Sequence, residues 1–385
     1  MGAFTVLIGL ALMIVIHEGA HFVAAKAFNM KATEAFFGFG PKLWSTRRGE
    51  TEYGIKAIPL GGYVRIIGMN PFEEVDVGDE ERTYRVAPFW QKAIVVLAGI
   101  ASHFVVALLI FFVLSLVYGT VVLDDNGDPI PTTTVAAVSK TLEDGSPTPA
   151  ATSGIQEGDV IVGVDGIAVS TWDEFVDVAR ARPGETVQFT ILRDGNELEI
   201  TTTLVAEERP VVVDGEVVED ENGDPVTEAV GFFGVSPEVE RENPGVFGSM
   251  VAAGRDLLLS LRQSVIGLWE LVANFGSVLT AAFGDNDEIL DTVRPISPIG
   301  LAQIAGALES NLLLLGLVNV FVGVVNFVPL YPLDGGHFVV ALYEKVTGRV
   351  PDVRKLLPVA AAVFIFLVTL GLLGIYLDIF KPLQR

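Results

Sequence analysis

The feature that most constrains this chain is a set of four apolar stretches, each long enough to cross a bilayer as a helix. A hydrocarbon core about 30 Å thick requires about 20 apolar residues in a helix. Few charges interrupt these stretches, which cover residues 2–25, 93–119, 311–343 and 357–377. We therefore predict a polytopic α-helical membrane protein with about four transmembrane helices.

The first stretch resembles a signal peptide in its position and in the small residues that end it. A signal peptide carries basic residues before its apolar core, whereas no basic residue precedes Lys26. We predict a retained transmembrane helix within residues 1–30.

Charge is distributed unevenly along the chain, which has a net charge of −23 although half of its residues are hydrophobic. Residues 120–310 hold 34 acidic and 9 basic side chains, whereas residues 26–92 hold 9 acidic and 10 basic ones. Lys and Arg favour cytoplasmic loops. We therefore predict that residues 31–92 and the basic loop 346–356 are cytoplasmic and that the acidic block is extracytoplasmic. Such acidity also argues against a nucleic-acid partner.

The strongest chemical signal is the motif HEGAH at residues 17–21, inside the first apolar stretch. In a helix, His17 and His21 lie one turn apart on the same face, so both imidazoles can reach one zinc ion, with Glu18 beside them. The alternative is that these polar side chains only pack against neighbouring helices. Three polar or ionisable groups in hydrocarbon are costly unless they have a function, which favours a metal site.

A third ligand is expected from another acidic residue at membrane depth. The chain has no cysteine, so a metal must be held by His, Asp or Glu. Asp334 lies in NFVPLYPLDGGH, residues 326–337, where Pro329 and Pro332 must interrupt the third helix. The alternative role for Asp334 is to cap the helix that restarts at Gly335, and capping is compatible with metal binding.

HExxH in the first span, together with N-x-x-P-x-x-x-L-D-G in the third, resembles the site-2 protease family of intramembrane zinc metalloproteases, of the bacterial type with one PDZ domain. The resemblance implies that His17, His21 and Asp334 bind Zn²⁺ and that Glu18 is the general base. It also implies that Asn326 holds the substrate backbone, although an interhelical hydrogen bond is the simpler role for that amide.

Two further segments are similar to parts of that family. Residues 33–69, with GFGP at 38–41 and PLGGY at 59–63, resemble its re-entrant β-hairpin region, and an exposed strand edge there could pair with an unwound substrate. An ordinary cytoplasmic sheet is the alternative. GIQEGDVIVGVDG at 154–166 resembles a bacterial PDZ domain, which implies a site that binds peptides or excludes bulky substrates.

The acidic block contains the pattern of a small α+β domain. Strands are predicted at 160–164, 186–192 and 198–204, a helix at 172–180, and acidic hairpin turns at the two NGDP tetrapeptides, 126–129 and 222–225. Residues 246–283 are predicted to form an amphipathic helix on the outer membrane surface, with a fifth span over 263–283 as the alternative. The predicted divisions are 1–30, 31–92, 93–119, 120–230 (PDZ-like), 231–310 (amphipathic), 311–345, 346–356 and 357–385.

The second span departs from the family pattern. Where relatives commonly show G-P-x-x-N, this chain has Gly99-Ile100-Ala101-Ser102-His103. We expect His103 to be satisfied by helix packing, with an auxiliary role at the metal site as the alternative.

These observations predict an intramembrane zinc metalloendopeptidase in a bacterial inner membrane. By resemblance, its substrates are single-span proteins of the anti-sigma-factor kind, already trimmed outside the membrane. The alternatives are a membrane zinc transporter, which leaves the glutamate of HEGAH unexplained, and an inactive PDZ scaffold, which leaves the intact motif unexplained.

Overall fold

A computed structural model shows two compact units, Met1–Gly119 with Asn243–Arg385, and Thr120–Glu242. It describes residues 2–70, 73–142, 144–213, 216–218, 225–284, 289–290, 293–349 and 352–382. In chain order, the helices within these ranges are α1 (Gly2–Ala27), α2 (Phe89–Tyr118), α3 (Pro149–Ser153), α4 (Trp172–Arg180), α5 (Gly245–Ala273), α6 (Phe275–Phe283), α7 (Pro298–Gln303), α8 (Leu308–Phe327), α9 (Asp334–Thr347) and α10 (Leu357–Phe380).

The strands belong to five antiparallel arrangements. They are β1 (Ala32–Arg48), β2 (Thr51–Ile66), β3 (Thr120–Val121), β4 (Pro131–Val138), β5 (Val160–Val164), β6 (Ile167–Ala168), β7 (Thr186–Arg193), β8 (Asn196–Thr203), β9 (Val205–Pro210), β10 (Val212–Val213), β11 (Glu216–Val217), β12 (Thr227–Phe232), β13 (Val235–Val239) and β14 (Arg241–Glu242).

Within the described residues, four helices are long and apolar enough to cross a membrane: α1, α2, α8 and α10. Each corresponds to one predicted apolar stretch. Three of them, α1, α2 and α8, pack closely at small residues, since Gly9 of α1 lies against Leu315 of α8, and Gly316 of α8 lies against Phe111 of α2. Because lipid is as apolar as the side chains, such close packing at glycine is what holds membrane helices together.

The third apolar stretch is two helices rather than one. Helix α8 ends at Phe327 and α9 begins at Asp334, and the segment between them contains Pro329 and Pro332. The predicted interruption is therefore confirmed. Gly335 and Gly336 lie directly against the backbone of this connecting segment, so the restart of the helix needs residues without side chains.

The β1–β2 pair is a curled sheet with four segments. Residues 32–37 of β1 lie between two segments of β2, and they pair with 62–66 on one side and with 52–55 on the other. Residues 44–48 of β1 pair with the outer side of the 52–55 segment. Glu34, for example, lies opposite both Arg65 and Glu52. The sheet contacts α1, and Gly62 lies against Ile14 and Glu18 of that helix.

The stretch 246–283 forms two helices, and the first of them packs against the second span. Ala253 of α5 clusters with Ala107 and Phe111 of α2, so α5 packs alongside the second span. The chain bends by 68° between α5 and α6, and this bent pair is a fifth candidate for a membrane-inserted element. The predicted surface location therefore does not describe the packed part of α5.

The second unit is an α+β domain. Its main sheet has the order β13-β4-β5-β7-β8, with β6 paired to β5. Helix α4 covers this sheet, and Phe175 packs near Phe189 and Phe233 in the core. The strands predicted at 160–164, 186–192 and 198–204 and the helix at 172–180 are confirmed within two residues. The first NGDP tetrapeptide forms a turn between bridged residues Leu123 and Pro129, and residues 222–224 of the second lie outside the described ranges.

Candidate metal centre

Three predicted ligands from two distant parts of the sequence lie close together in the unit that contains the four candidate spans, Met1–Gly119 with Asn243–Arg385. His17 and His21 lie one turn apart on α1, and Asp334 is the first residue of α9. The Nε2 atoms of the two histidines are 3.2 Å apart, and Asp334 Oδ2 lies 3.5 Å from His17 Nε2 and 3.3 Å from His21 Nε2. Within the described ranges, this is the group of His, Asp and Glu side chains that could hold a metal ion.

The dimensions of this triangle fit zinc. Tetrahedral zinc with ligands at about 2.0–2.2 Å separates its ligand atoms by about 3.3–3.5 Å, which the three observed distances match within about 0.2 Å. His21 Nδ1 lies 2.7 Å from the carbonyl oxygen of Val95, so it must donate its proton there. In the neutral imidazole, His21 Nε2 then carries a lone pair, and it lies 3.3 Å from Asp334 Oδ2, which is buried without a hydrogen-bond partner in the described part of the chain. Such electron-rich atoms, brought together without a shared proton, suit a cation.

The second span forms a close wall behind the two histidines. A Cβ atom at Gly99 of α2 would overlap the His21 imidazole and would come within 2.9 Å of His17 Cε1. Gly99 is therefore required for the imidazoles to reach their observed positions. The sequence contained a signal for this contact in the glycine of the family pattern, but the pattern alone did not show which side chain it accommodates.

Glu18 lies beside the triangle and faces the curled sheet. It lines a cavity of about 350 Å³ between α1 and the sheet, with Ile14 and Phe22 from α1 and Phe36, Trp44 and Tyr53 among the sheet residues. The walls are mostly apolar, and glycines at 19, 54 and 62 are among the lining residues. Glu18 thus faces a mostly apolar cavity that can receive an apolar side chain.

A second and larger cavity, of about 870 Å³, lies along Tyr63–Ile66 of β2. Its other walls include Tyr331 from the segment between α8 and α9, and His337 from the first turn of α9. The two cavities share Tyr63 and Val64, so they flank the same piece of β2.

The remaining candidate residues occupy different positions. His103 of α2 is buried, and its ring centroid lies 4.7 Å from that of His17. His337 packs against Tyr331 at 4.8 Å between ring centroids. Asn326 lies in the last turn of α8 and lines neither cavity in the described ranges, so its role in substrate binding stays a prediction.

Asn319, a residue that the sequence patterns did not single out, also lies close to the site. Its side chain is buried in α8 and lies 3.3 Å from His103. An asparagine in an apolar helix is common at helix contacts, so only its spatial position beside a second buried polar residue indicates a role near the metal centre.

The chain is similar to known peptidases over most of its length. A model of peptidase family M50 matches residues 5–370. The zinc metalloprotease Rip1 of Mycobacterium tuberculosis (strain ATCC 25618 / H37Rv) is 32% identical, over 98% of this chain and 98% of its own length. Rip1 of Mycolicibacterium smegmatis is 31% identical over 100% and 98%, respectively.

One solved structure is similar to a part of the chain only. The crystal structure of the PDZ domain of an SdrC-like protein from Listeria innocua covers 29% of this chain and 98% of its own, with 20% identity and a TM-score of 0.19.

Proposed function

This chain is a zinc metalloendopeptidase of peptidase family M50, the site-2 protease family, and we propose that it cleaves its substrates within the membrane. The observation that carries the proposal is the triangle of His17, His21 and Asp334, with Glu18 beside it, in helices that are apolar enough to span a bilayer. A soluble peptidase would not place these groups in such segments, because ionisable residues are costly there.

In the proposed mechanism, His17 Nε2, His21 Nε2 and Asp334 Oδ2 would hold zinc. Bound zinc would supply Lewis-acid chemistry, which polarises the scissile carbonyl and makes a water molecule easier to deprotonate. The Glu18 carboxylate accepts the proton from the attacking water and returns it to the departing amide nitrogen. The Val95 carbonyl fixes the tautomer of His21, and Gly99 leaves the space that both imidazoles occupy.

The substrate is proposed to bind as an added strand. A peptide bond in an intact helix is shielded by its own hydrogen bonds, so the substrate must be extended at the cleavage site. Residues 62–66 of β2 pair with β1 along one edge, and among the described residues no strand pairs with the other edge. That segment also flanks both cavities and contacts Glu18 through Gly62, which supports strand addition beside the general base.

We propose that the substrates are single-span membrane proteins of the anti-sigma-factor kind, first trimmed outside a bacterial inner membrane. The PDZ-like unit Thr120–Glu242 would bind peptides or exclude untrimmed substrates. Support for a PDZ-like fold comes from GIQEGDVIVGVDG, which forms β5 and the turn before β6, and from the helix α4 over the sheet. The Lys and Arg residues of segments 31–92 and 346–356, together with the alternation of four spans, support an extracytoplasmic position for this unit.

The bent pair α5–α6 is proposed to be re-entrant, which leaves four spans. Phe275 at the bend lies 5.0 Å from Phe366 of α10, and Phe283 at the end of α6 lies 4.9 Å from Tyr376 (both between ring centroids). Lys381 Nζ, just after α10, donates to the Gly284 carbonyl at 2.7 Å. Helix α6 therefore runs back along α10 towards the end at which α10 finishes, so the pair does not reverse the sidedness of the later helices.

Glu18→Gln tests the mechanism. The variant keeps the volume of the side chain and all three proposed zinc ligands but cannot accept a proton. We expect it to retain one zinc per chain and to lose cleavage of a single-span model substrate in proteoliposomes by at least about 10²-fold. Cleavage at the rate of the unmodified protein would refute the mechanism, and zinc flux into the liposomes would favour a transporter.

Ser170→Cys tests the orientation. Ser170 precedes α4 in the PDZ-like unit, and the chain has no native cysteine, so the labelling background is clean. We expect a membrane-impermeant thiol reagent to label this cysteine from outside intact spheroplasts. A cysteine introduced at Arg349, in the cytoplasmic loop, is the matched control and should react only after lysis. The reverse pattern would show that the orientation is wrong.

A further inference from the structure

Two nitrogens next to the metal-ligand triangle are buried without a partner. His17 Nδ1 and His103 Nε2 both lack a hydrogen bond within the described part of the chain. Their rings are neighbours, with centroids 4.7 Å apart and planes inclined by 30°, and His103 is only 2% exposed. A buried polar atom without a partner is costly, so two such atoms in adjacent rings require an explanation.

The hydrogen-bond chemistry of α8 determines the tautomer of His103. The Asn319 amide places one end 2.8 Å from the Leu315 carbonyl oxygen. A carbonyl oxygen can only accept, so that end is the Nδ2 group, and the other end, Oδ1, faces His103 Nδ1 at 3.3 Å. Oδ1 can only accept as well. His103 Nδ1 must therefore carry the proton, and His103 Nε2 must present a lone pair.

His17 has the complementary requirement. If His17 Nε2 binds zinc through its lone pair, then its proton is on Nδ1, and that N–H needs an acceptor. The lone pair on His103 Nε2 is an acceptor on the adjacent ring, and both nitrogens are otherwise unused. The donors and acceptors then run in a single direction, from His17 Nδ1 to His103, from His103 Nδ1 to Asn319, and from Asn319 to the Leu315 carbonyl.

We propose that His103 is a positioning residue of the metal centre: its Nε2 accepts the proton of His17 Nδ1 through one bridging water, and its Nδ1–H donates to Asn319. The inference rests on the proposed zinc ligation by His17. It assigns to His103 and Asn319 the role that the Val95 carbonyl plays for His21, so each histidine ligand has a fixed tautomer. This proposal favours the auxiliary role at the metal site over the sequence-based expectation that His103 is satisfied by helix packing alone.

The competing acceptor is the carbonyl of Gly99, which also lies near the His17 ring. That oxygen already accepts the Ser102 hydroxyl at 2.6 Å, and within helix α2 it also accepts the amide N–H four residues on, so both of its lone pairs are used. A hydrogen bond from His17 to this carbonyl would also leave His103 Nε2 buried without a partner.

Zinc release is the measurement that separates these two arrangements. Full-length protein in detergent is loaded with zinc, and transfer of the metal to a chromogenic chelator is followed. His103→Phe keeps an aromatic ring but removes the acceptor, and we expect it to release zinc about 10–100-fold faster. His103→Gln can accept from His17 and donate to Asn319, so we expect a rate within about threefold of the unmodified protein. Asn319→Leu should fall between the two.

A spectroscopic readout tests the role independently of stability. With cobalt(II) in place of zinc, His103→Phe should shift the visible absorption bands, whereas His103→Gln should restore them. Ser115→Ala is the matched control, because Ser115 is a buried polar residue of the same helix with an unpartnered hydroxyl. It should change neither the release rate nor the spectrum.

The proposal is overturned if His103→Phe releases zinc at the original rate with an unchanged cobalt spectrum. It is also overturned if ¹⁵N spectra of the unmodified zinc protein show His103 protonated at Nε2, a measurement that needs no variant to fold. Failure of the proposed function would look different, since the unmodified protein would then bind no zinc or Glu18→Gln would remain fully active.

Discussion

Gly99→Ala should disable the metal centre although it adds only one methyl group. The new Cβ would overlap the His21 imidazole and lie 2.9 Å from His17 Cε1. Carbon atoms pack at about 3.5–4.0 Å, so the His21 ring would have to move by about 1 Å or more. The obstructing atoms belong to a ring held by the Val95 carbonyl at 2.7 Å, so the ring cannot move without losing that hydrogen bond.

This displacement is large compared with the tolerance of a metal site. Metal–ligand distances vary by only about 0.2 Å, and a misplacement of about 1 Å in a catalytic site costs about 10²-fold in rate. We expect Gly99→Ala to bind zinc at least about tenfold more weakly and to cleave a single-span model substrate at least about 10²-fold more slowly.

The assay compares zinc content, by elemental analysis after gel filtration, with proteolysis in proteoliposomes. Gly371→Ala is the matched control, because Gly371 is a glycine of the transmembrane helix α10 with open space where a Cβ would be. It should leave both quantities unchanged. Full zinc content and full activity in Gly99→Ala would refute the placement of His21 against α2.

Two further predictions concern ion pairs outside the membrane-spanning helices. A hydrogen bond from the Arg82 guanidinium, with a smaller effect of the hydrogen bond from Lys26, lowers the pKa of Glu50 to about 2. The unfolded chain binds this proton more readily, so the stability contributed is present above about pH 4.5 and is lost as the pH falls towards 2. Glu50→Gln should remove that pH dependence from thermal unfolding, at a cost of about 1–3 kcal/mol at pH 7, and a slope that persists in the variant would contradict the assignment. In the PDZ-like unit, Arg193 pairs with Asp159, which is 1% exposed, through two contacts of 2.7 Å. Arg193→Met should destabilise this unit in denaturant unfolding by about 3–5 kcal/mol because it leaves a buried carboxylate, whereas Arg209→Met, at an exposed pair, should cost under about 1 kcal/mol. Equal costs would contradict this reasoning.

Most of the chemistry of the candidate metal centre could be predicted from the sequence. The spacing of His17 and His21 fixes both on one face of any helix, because the helical repeat does not depend on the surroundings. Asp334 was distinguishable because an acidic residue in hydrocarbon is costly, and the interruption before it follows from the geometry of Pro329 and Pro332. These properties depend only on residues that are close in the sequence, so they do not change with the tertiary surroundings.

The packing of helices and strands around the candidate metal centre could not be predicted from the sequence in the same way. The spans are apolar on all sides, so their sequence does not show which face meets which neighbour. The 32–37 segment of β1 pairs on both of its edges, and nothing in its alternation indicates that. The stretch 246–283 carries enough charge to suggest a surface helix, yet Ala253 is packed against α2.

The sequence by itself predicted the candidate ligand types, the candidate general base and the number of helices in the described residues that are long enough to span the membrane. Only the tertiary structure decided which residues lie beside the candidate ligands: Val95 and Gly99 behind His21, and His103 with Asn319 beside His17. The physical reason is that these contacts join three helices from distant parts of the chain. A hydrogen bond between spans depends on rotation and depth within the bundle, and neither is encoded by periodicity when every face of a helix is apolar.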